Sequence, residues 1–376
     1  MPPEQAEDDL AARLKARIAR EGPLTVEAYM EACLADAAAG YYTSGQPIGE
    51  DGDFITAPEI SQIFGELIGV WAIAIWQSFG APKQITVAEI GPGRGALMAD
   101  CLRIWRQFPP FREAVSVVLV ETSPTLRQMQ SALVSDYANE EPAIPLAWAE
   151  SVDALPGGPL ILIGNEFLDA LPIRQFVRRG EAWRERMVGL DGDRFAFAEA
   201  QDDAEADEAL RRFAQLASKG TVAETRPAIA PLIETLAARA AAAPLAALFV
   251  DYGADTPALN DTLQAVRRHA YADPLAEPGK ADLTAHVDFD ALKRQAAQKG
   301  LSAYGPMPQG ELLLKLGLAA RQEQLMQSAT PDQRAMLASG ANRLIDPQQM
   351  GILFKALALL SPGLPAPPPF PEERSP

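Results

Sequence analysis

The residues best suited to chemistry in this chain surround three glycines, Gly91, Gly93 and Gly95. An apolar run that contains Glu89 ends just before them, and an apolar, helix-compatible segment begins at Ala96. Glycines permit a tight turn and a close approach of backbone to ligand, and a helix N-terminus offers free N–H groups. This pattern predicts a buried parallel strand that turns into a helix over a bound, nucleotide-like cofactor.

Two classes of cofactor fit this loop. With alanine at its last position it matches the dinucleotide fingerprint of NAD and FAD enzymes, and it also matches the loop of class I methyltransferases, which bind S-adenosylmethionine. Glu121 ends the second predicted strand, where either class places a carboxylate on the ribose hydroxyls. Glu89 suits a ligand with an ammonium and a sulfonium better than one with a pyrophosphate. The residues favour S-adenosylmethionine, with an NAD-dependent oxidoreductase as the alternative.

A second polar motif follows the predicted strand 160–165 and contains Asn165, Glu166 and Asp169. In open α/β sheets, ligands lie beyond the carboxyl ends of the strands. An apolar strand that delivers two carboxylates and a carboxamide must also provide partners for them. We interpret the motif as a cradle for a positively charged acceptor. The alternative is a helix N-cap, with Asp169 favoured by the helix dipole.

The histidines and cysteines do not indicate a metal site. His269 and His286 are the only histidines, Cys33 and Cys101 are the only cysteines, and no spacing among them is typical of zinc. His286 is a candidate proton acceptor or substrate contact, and the alternative is a structural hydrogen-bonding role. Asp251, at the end of a later predicted strand, is a further candidate for the acceptor side.

The elements that must position these residues alternate between strand and helix in the middle of the chain. Continuous apolar runs are typical of strands covered on both faces of a parallel sheet. A block over residues 174–242 interrupts this alternation and indicates an inserted β-meander followed by helices. We therefore predict an α/β fold with a Rossmann-like sheet. Its predicted parallel strands are residues 85–90, 116–121, 144–148, 160–165 and 245–251.

The terminal regions are predicted to be helical, including a long buried helix over 59–79 and helices between 311 and 360. The resulting domain prediction has four consecutive parts along the chain. They are an N-terminal helical cover region over 1–80, a core over 81–270 that contains the insertion, a C-terminal helical region over 271–361, and a mobile proline-rich tail over 362–376.

Composition limits the class of protein. The 376 residues carry a formal net charge of −17, which argues against nucleic-acid or anionic-membrane partners because phosphate contacts need clustered Lys and Arg. No apolar run is long enough to span a bilayer. The acidic residues 1–10 lack the apolar region of a signal peptide and the arginine-rich character of a mitochondrial presequence. We therefore predict a cytoplasmic protein whose acidity attracts a cationic cofactor or a basic protein segment.

A series of motifs occurs in an order that resembles one known family. The motifs are residues 52–66, the glycine loop, 165–172, 250–253, 281–289, 309–310 and 350–355. From about residue 22 to about residue 360 the chain resembles the MidA family of S-adenosylmethionine-dependent methyltransferases. Mitochondrial members of that family assist assembly of respiratory complex I by methylating an arginine on a core subunit. The resemblance implies a class I methyltransferase fold and a protein substrate such as a complex I subunit, and the acidic N-terminus fits a bacterial member.

The resemblance also implies which residues bind the cofactor. The three glycines would hold the methionine end, Glu121 would take the ribose, and residues 53–66 would fold over the cofactor. The full set of cofactor-binding residues is Glu89, Gly91, Gly93, Gly95, Glu121, Thr122, Ser123, Asn165, Thr56, Pro58 and Gln62.

The expected mechanism needs no metal, because the sulfonium already makes the methyl group a strong electrophile. If the acceptor is a guanidinium, carboxylates should fork onto its N–H groups and aim one nitrogen at the methyl group. We assign this role to Glu166 and Asp169, helped by Glu59, and we keep His286 as a candidate catalytic residue. A non-catalytic assembly factor built on a methyltransferase scaffold is the second alternative.

Overall fold

The chain divides into two compact units that are interleaved along the sequence. The structure, a computed structural model, describes residues 9–44, 56–204, 208–213, 216–256 and 259–371. Unit 1 is formed from three segments of the chain, which are Met1–Phe54, Asp169–Ala230 and Ala254–Ala291. Unit 2 is formed from the remaining segments, which are Ile55–Leu168, Pro231–Gly253 and Leu292–Pro376.

The strands of the described residues are numbered in chain order. They are β1 (Leu24–Thr25), β2 (Ile85–Ile90), β3 (Val115–Val120), β4 (Leu146–Ala149), β5 (Leu160–Asn165), β6 (Arg174–Arg179), β7 (Ala182–Asp191), β8 (Arg194–Glu199), β9 (Val222–Thr225), β10 (Leu245–Ala254), β11 (Gln264–Arg267), β12 (Ala270–Ala272), β13 (Asp282–Thr284), β14 (Val287–Asp288), β15 (Ser302–Pro308) and β16 (Phe354–Leu360).

The helices of the described residues are numbered in the same way, and none of them has both the length and the apolarity needed to cross a bilayer. They are α1 (Leu10–Glu21), α2 (Val26–Ala35), α3 (Tyr41–Ser44), α4 (Ala57–Ile60), α5 (Gln62–Ser78), α6 (Ala96–Trp105), α7 (Pro109–Ala114), α8 (Pro124–Asn139), α9 (Glu208–Arg211), α10 (Ile229–Ala242), α11 (Phe289–Gln298), α12 (Gln309–Leu316), α13 (Leu318–Ser328), α14 (Pro331–Ile345) and α15 (Met350–Leu353).

Unit 2 is built on a sheet with the strand order β15-β16-β10-β5-β2-β3-β4. The five strands from β10 to β4 pair in parallel, which confirms the predicted Rossmann-like sheet. β2 and β5 have the predicted bounds, and every residue of both is buried. Their apolar side chains are excluded from water on both faces, which is why these runs contain no polar alternation.

The C-terminal part of unit 2 differs from the helical region that we predicted. Helices α12 to α15 are present, but residues 354–360 form the strand β16, and residues 302–308 form the strand β15. β16 pairs antiparallel with β10 over seven residue pairs and with β15 on its other side. The run Phe354–Leu360 is rich in Ala and Leu, which favour helix in isolation, and pairing with the sheet overrides that preference.

The predicted long helix over 59–79 is broken at Ser61. Ser61 has an extended backbone, with φ −158° and ψ 127°, and it separates α4 from α5. Its side-chain oxygen accepts a hydrogen bond from the N–H of Ile63, so the serine caps α5. The core of unit 2 then packs α5 and α6 on the sheet, with Trp71 and Trp105 fully buried.

Unit 1 contains the predicted meander in an antiparallel sheet with the order β1-β7-β6-β9, and β8 pairs with β7. Of the helices predicted to follow the meander, α10 is present, and residues 208–211 form the short α9. β11 lies in a separate three-stranded sheet with the order β12-β11-β13.

The domain division predicted from the sequence stays a prediction, and the two units differ from it. The predicted parts are consecutive, whereas the units alternate because residues 169–230 and 254–291 belong with the N-terminal helices. The predicted mobile tail also begins inside the described residues. Phe370 is 5% exposed and packs in the core of unit 2, because removing an aromatic side chain from water lowers the free energy of the folded state.

Candidate active site

The glycine motif of unit 2 forms the predicted turn between β2 and α6. Gly91, Gly93 and Gly95 have φ values of +66°, +52° and +92°, a region that glycine enters without steric cost. A Cβ atom on Gly91 would lie 2.9 Å from the Phe167 ring. The turn is therefore possible only with a residue that lacks a side chain at this point.

The parallel register places the ends of four strands at one edge of the sheet. Ile90 pairs with Val120 on one side and with Gly164 on the other, and Asn165 pairs with Val250. Residues that follow these strands lie along the same edge, which is where ligands bind in open α/β sheets.

Glu89 is the penultimate residue of β2, near that edge of the sheet, and it is 3% exposed. Burial raises the pKa of its carboxyl to about 8. Within the described residues, its Oε2 atom is buried and has no hydrogen-bond partner. A buried carboxyl oxygen of this kind favours a bound hydrogen-bond donor or cation, because an unsatisfied polar atom costs free energy, and a bound cation would in turn favour ionisation of the carboxyl.

Glu121 follows β3, and its carboxylate is held in one orientation by three donors. The backbone N–H groups of Thr122 and Ser123 each donate to Oε1 at 2.8 Å, and the Gln130 amide donates to Oε2 at 3.2 Å. Burial raises the pKa of this carboxyl, and the hydrogen bonds oppose the rise. Ser123 is itself buried and caps α8 by accepting from the N–H of Leu126, whereas Thr122 is exposed.

Gln130 and Trp148 belong to this site and were not predicted from the sequence. Gln130 is fully buried on α8, and its Nε2 donates to the carbonyl of Gly93 at 2.8 Å as well as to Glu121. The indole N–H of Trp148 donates to Gln130 Oε1 at 2.8 Å. A glutamine between the apolar positions of a predicted helix is a weak signal, because such residues are usually solvated.

Asn165 and Glu166 stand at the end of β5. No helix follows Asp169 among the described residues up to β6, so the N-cap alternative is wrong. The Asn165 amide donates to Glu166 Oε1 at 3.1 Å, and the Asn165 carbonyl oxygen is buried with no hydrogen-bond partner among the described residues. Glu166 has φ +50°, a left-handed conformation that costs a residue with a side chain roughly 1–2 kcal/mol.

Helix α4 contains or borders the other predicted cofactor residues of unit 2. The N–H of Ala57 donates to Glu166 Oε1 at 3.0 Å, which ties the start of α4 to the end of β5. Thr56 precedes this helix, Pro58 lies in its first turn, and Gln62 begins α5. Residues 53–55 of the predicted covering segment lie outside the described residues.

Two glutamates near α4 face cationic or amide groups. Glu59 Oε1 lies 3.6 Å from a guanidinium nitrogen of Arg94, which is the residue between Gly93 and Gly95. The Gln62 amide donates to Glu66 Oε1 at 3.3 Å, and Arg321 binds both oxygens of Glu66. α4 is thus connected to the glycine turn through Glu59 and to the sheet through Glu166.

The remaining predicted catalytic residues, Asp169 and His286, lie in unit 1. The guanidinium of Arg226 joins them, because it donates to the carbonyls of Asp169 and His286 at 3.4 Å each and to that of Ala285 at 2.9 Å. Asp169 is 5% exposed, and burial together with the nearby Arg226 lowers the pKa of His286. Arg226 was not predicted, since its role depends on carbonyl groups that the sequence does not reveal.

These residues fit the cofactor that the sequence predicts. Glu89 offers a buried, unsatisfied carboxyl oxygen, and Asn165 offers an unsatisfied side-chain carbonyl oxygen at the same sheet edge. The turn at Gly91 has no room for a side chain, and a carboxylate is oriented at Glu121. Gly91 to Gly95 would hold the methionine end of S-adenosylmethionine, and Glu121 would hold its ribose. The individual residue assignments stay predictions.

Comparison with known proteins agrees with this geometry. The chain is 35% identical to the protein arginine methyltransferase NDUFAF7, mitochondrial, of Danio rerio, with 93% of this chain and 86% of that protein covered. The Mus musculus protein of the same name is 36% identical over 92% of this chain and 82% of its own. A solved structure from Burkholderia thailandensis, described as a COG1565 superfamily member bound to S-adenosyl-homocysteine, matches with a TM-score of 0.81 and 28% identity, covering 97% of this chain and 95% of that chain.

The predicted cytoplasmic location is contradicted by these relatives, which are named as mitochondrial proteins. The prediction depended on the acidic character of residues 1–10 and on the lack of a long apolar run. The acidity of the folded part is compatible with many aqueous compartments, so net charge does not discriminate among them.

A family model matches nearly two thirds of the chain, and this match identifies the family. Residues 67–307 match the model of a family described as S-adenosyl-L-methionine-dependent methyltransferases. The match contains the glycine turn, Glu121 and the end of β5, and it overturns the oxidoreductase alternative. The chain belongs to this family of S-adenosyl-L-methionine-dependent methyltransferases.

Proposed function

We propose that this methyltransferase acts on an arginine side chain of a protein, and that the acceptor is a subunit of respiratory complex I. The observation that carries the proposal is the name of the relatives, protein arginine methyltransferase, together with their coverage of more than nine tenths of this chain. The complex I acceptor rests on the resemblance to the MidA family.

The acidic residues next to the glycine turn support a guanidinium acceptor. Glu59 already lies 3.6 Å from the guanidinium of Arg94, which indicates that this carboxylate accepts such a group. Glu166 keeps a carboxylate at a position where φ +50° would suit glycine better. A side chain retained against backbone strain favours a functional role.

S-adenosylmethionine, when bound, supplies an electrophilic methyl group. The residues of this chain must then orient the acceptor and keep water away. Glu59 and Glu166 would bind guanidinium N–H groups and concentrate the positive charge away from the attacking nitrogen. The roles predicted for Asp169 and His286 belong to the same proposal.

The test of the mechanism is Glu166→Gln. The amide oxygen can still accept from the N–H of Ala57, while the negative charge is lost. We expect turnover to fall by at least about a hundredfold, with the affinity for S-adenosylhomocysteine changed by no more than a few-fold. Equal losses of turnover and affinity would move Glu166 into the cofactor site. The control is Glu150→Gln at an exposed position, which should change neither quantity.

The test of the acceptor uses labelled S-adenosylmethionine and a lysate from cells that lack the gene. After incubation with the protein, methylated peptides are mapped by mass spectrometry. A methylated arginine on a complex I subunit supports the proposal. Label only on a small molecule, or on residues other than arginine, contradicts the acceptor and leaves the cofactor assignment intact.

A further inference from the structure

The amide of Gln130 connects two parts of the cofactor site that the sequence treats as separate. Its Nε2 atom donates both to the carbonyl of Gly93, at 2.8 Å, and to Glu121 Oε2, at 3.2 Å. Gly93 lies in the turn expected to hold the methionine end, and Glu121 is expected to hold the ribose. One side chain therefore contacts both parts of the site.

Gln130 is itself held in place by its surroundings. It is fully buried, and the indole N–H of Trp148 donates to its Oε1 at 2.8 Å, which orients the amide so that its N–H groups face Gly93 and Glu121. A Cβ atom on Gly95 would lie 3.4 Å from Gln130 Cα and Cγ, so α8 packs closely against the turn. The amide has little freedom to move away.

The orientation of the Gln130 amide determines which acceptor position of the Glu121 carboxylate is left for a ligand. Two backbone N–H groups occupy Oε1, and Gln130 takes one position on Oε2. A carboxylate has about four acceptor positions, so these donors direct the remaining one on Oε2. A ligand hydroxyl at that position would meet an acceptor whose direction is fixed in advance, which lowers the entropy cost of binding.

We propose that Gln130 is a positioning residue for ribose recognition, acting through Glu121 and supported by Trp148. The proposal depends on the placement of the ribose at Glu121 and is independent of the identity of the methyl acceptor. It predicts that loss of the Gln130 amide weakens binding of ligands that carry ribose hydroxyls more than binding of ligands that lack them.

The experiment measures the affinities of S-adenosylhomocysteine and of its 2′,3′-dideoxyribose analogue by calorimetry. For Gln130→Leu we expect S-adenosylhomocysteine to bind about tenfold more weakly, because a hydrogen bond that orients a charged group is lost. The dideoxy analogue should lose less affinity, because it makes no use of Glu121 and is affected only through the contact between the amide and Gly93. The control variant is Gln128→Leu, at an exposed position of the same helix, which should change neither affinity.

Trp148→Phe provides a second variant in case Gln130→Leu does not fold. It removes the indole N–H and keeps Gln130, so we expect a smaller loss that is again greater for S-adenosylhomocysteine than for the analogue. Equal weakening of both ligands in either variant would overturn the role of Gln130. If the wild-type protein binds both ligands equally well, the assignment of the ribose to Glu121 is wrong, and the role of Gln130 is overturned with it.

Discussion

Phe167 packs so closely against Gly91 that one methyl group added at residue 91 should disturb cofactor binding. In Gly91→Ala, the added Cβ would meet the Phe167 ring at 2.9 Å, and alanine would also be strained at φ +66°. We expect the affinity for S-adenosylhomocysteine to fall by at least about tenfold, because the turn must deform. Isothermal titration calorimetry measures this loss.

A matched control separates the clash from the backbone strain. Gly158 has φ +100°, and a Cβ atom there would have nothing within 4 Å. Gly158→Ala should therefore lower the free energy of unfolding by about 1–2 kcal/mol and leave cofactor affinity unchanged. If both variants lose affinity equally, steric contact at Gly91 is not the cause.

The buried Glu89 predicts a pH-dependent contribution to stability. Its pKa is about 8 in the folded protein, against an ordinary value of 4.5. Between these values the folded state keeps a proton that the unfolded chain has released, so this group lowers the free energy of unfolding as pH rises. The slope is about 1.4 kcal/mol per pH unit, present from about pH 4.5 to about pH 8 and absent above that range.

Glu89→Gln should remove this slope, because an amide does not titrate. Urea unfolding of both proteins between pH 5 and pH 9 gives the comparison, and the difference in free energy of unfolding should depend on pH only below about pH 8. Parallel curves for the two proteins across the range would show that Glu89 is ionised in the folded state.

At the scale of single residues, sequence reasoning identified side chains that lie at strand ends and missed those that orient them. Glu121 and Glu166 follow apolar runs, and that position marks a ligand-binding edge. Gln130 and Arg226 contact backbone carbonyls of distant segments, such as Gly93 and Ala285. Every residue has a backbone carbonyl, so residue types do not indicate which carbonyl a side chain will contact in the folded chain.

At the scale of elements, we expect the strand β16 to contribute strongly to the stability of the sheet of unit 2, because it is paired on both sides. Leu357 is fully buried in this strand and pairs with Phe249 of β10. Leu357→Ala should lower the free energy of unfolding by about 2–5 kcal/mol through lost burial and a residual cavity. Denaturant unfolding followed by circular dichroism measures the change.

Leu353→Ala is the matched control for this strand. Leu353 is 45% exposed at the end of α15, so its truncation should cost less than about 1 kcal/mol. A similar loss in the two variants would contradict a central role of β16 in the sheet.

The same strand shows why some elements were predictable and others were not. β5 is an apolar run rich in isoleucine and leucine that is followed by polar residues, and its bounds were predicted correctly. In β16 the residues Ala356, Ala358 and the neighbouring leucines have high helix propensity, and the preceding segment is helical. Pairing with β10, more than 100 residues earlier, and with β15 on the other side determines that this run is extended.

At the scale of the whole molecule, the net charge of −17 should affect the rate at which basic acceptors bind. A peptide that contains the acceptor arginine and several further cations should be methylated with a kcat/KM that falls as salt increases. A peptide with the same arginine and no net charge should depend less on salt. The kcat/KM of each peptide is obtained from initial rates measured between low salt and about threefold physiological salt. If kcat/KM depends equally on salt for the two peptides, attraction by the overall charge is excluded.

The late position of β16 in the chain has a consequence for biosynthesis. During translation, β10 emerges well before Phe354–Leu360, the strand that covers one of its two edges. Until then a largely apolar strand presents unpaired N–H and C=O groups along that edge, which promote pairing with other chains. A nascent chain that stops before residue 354 is therefore expected to aggregate or to be held by chaperones, so the cell obtains a usable enzyme only from complete translation.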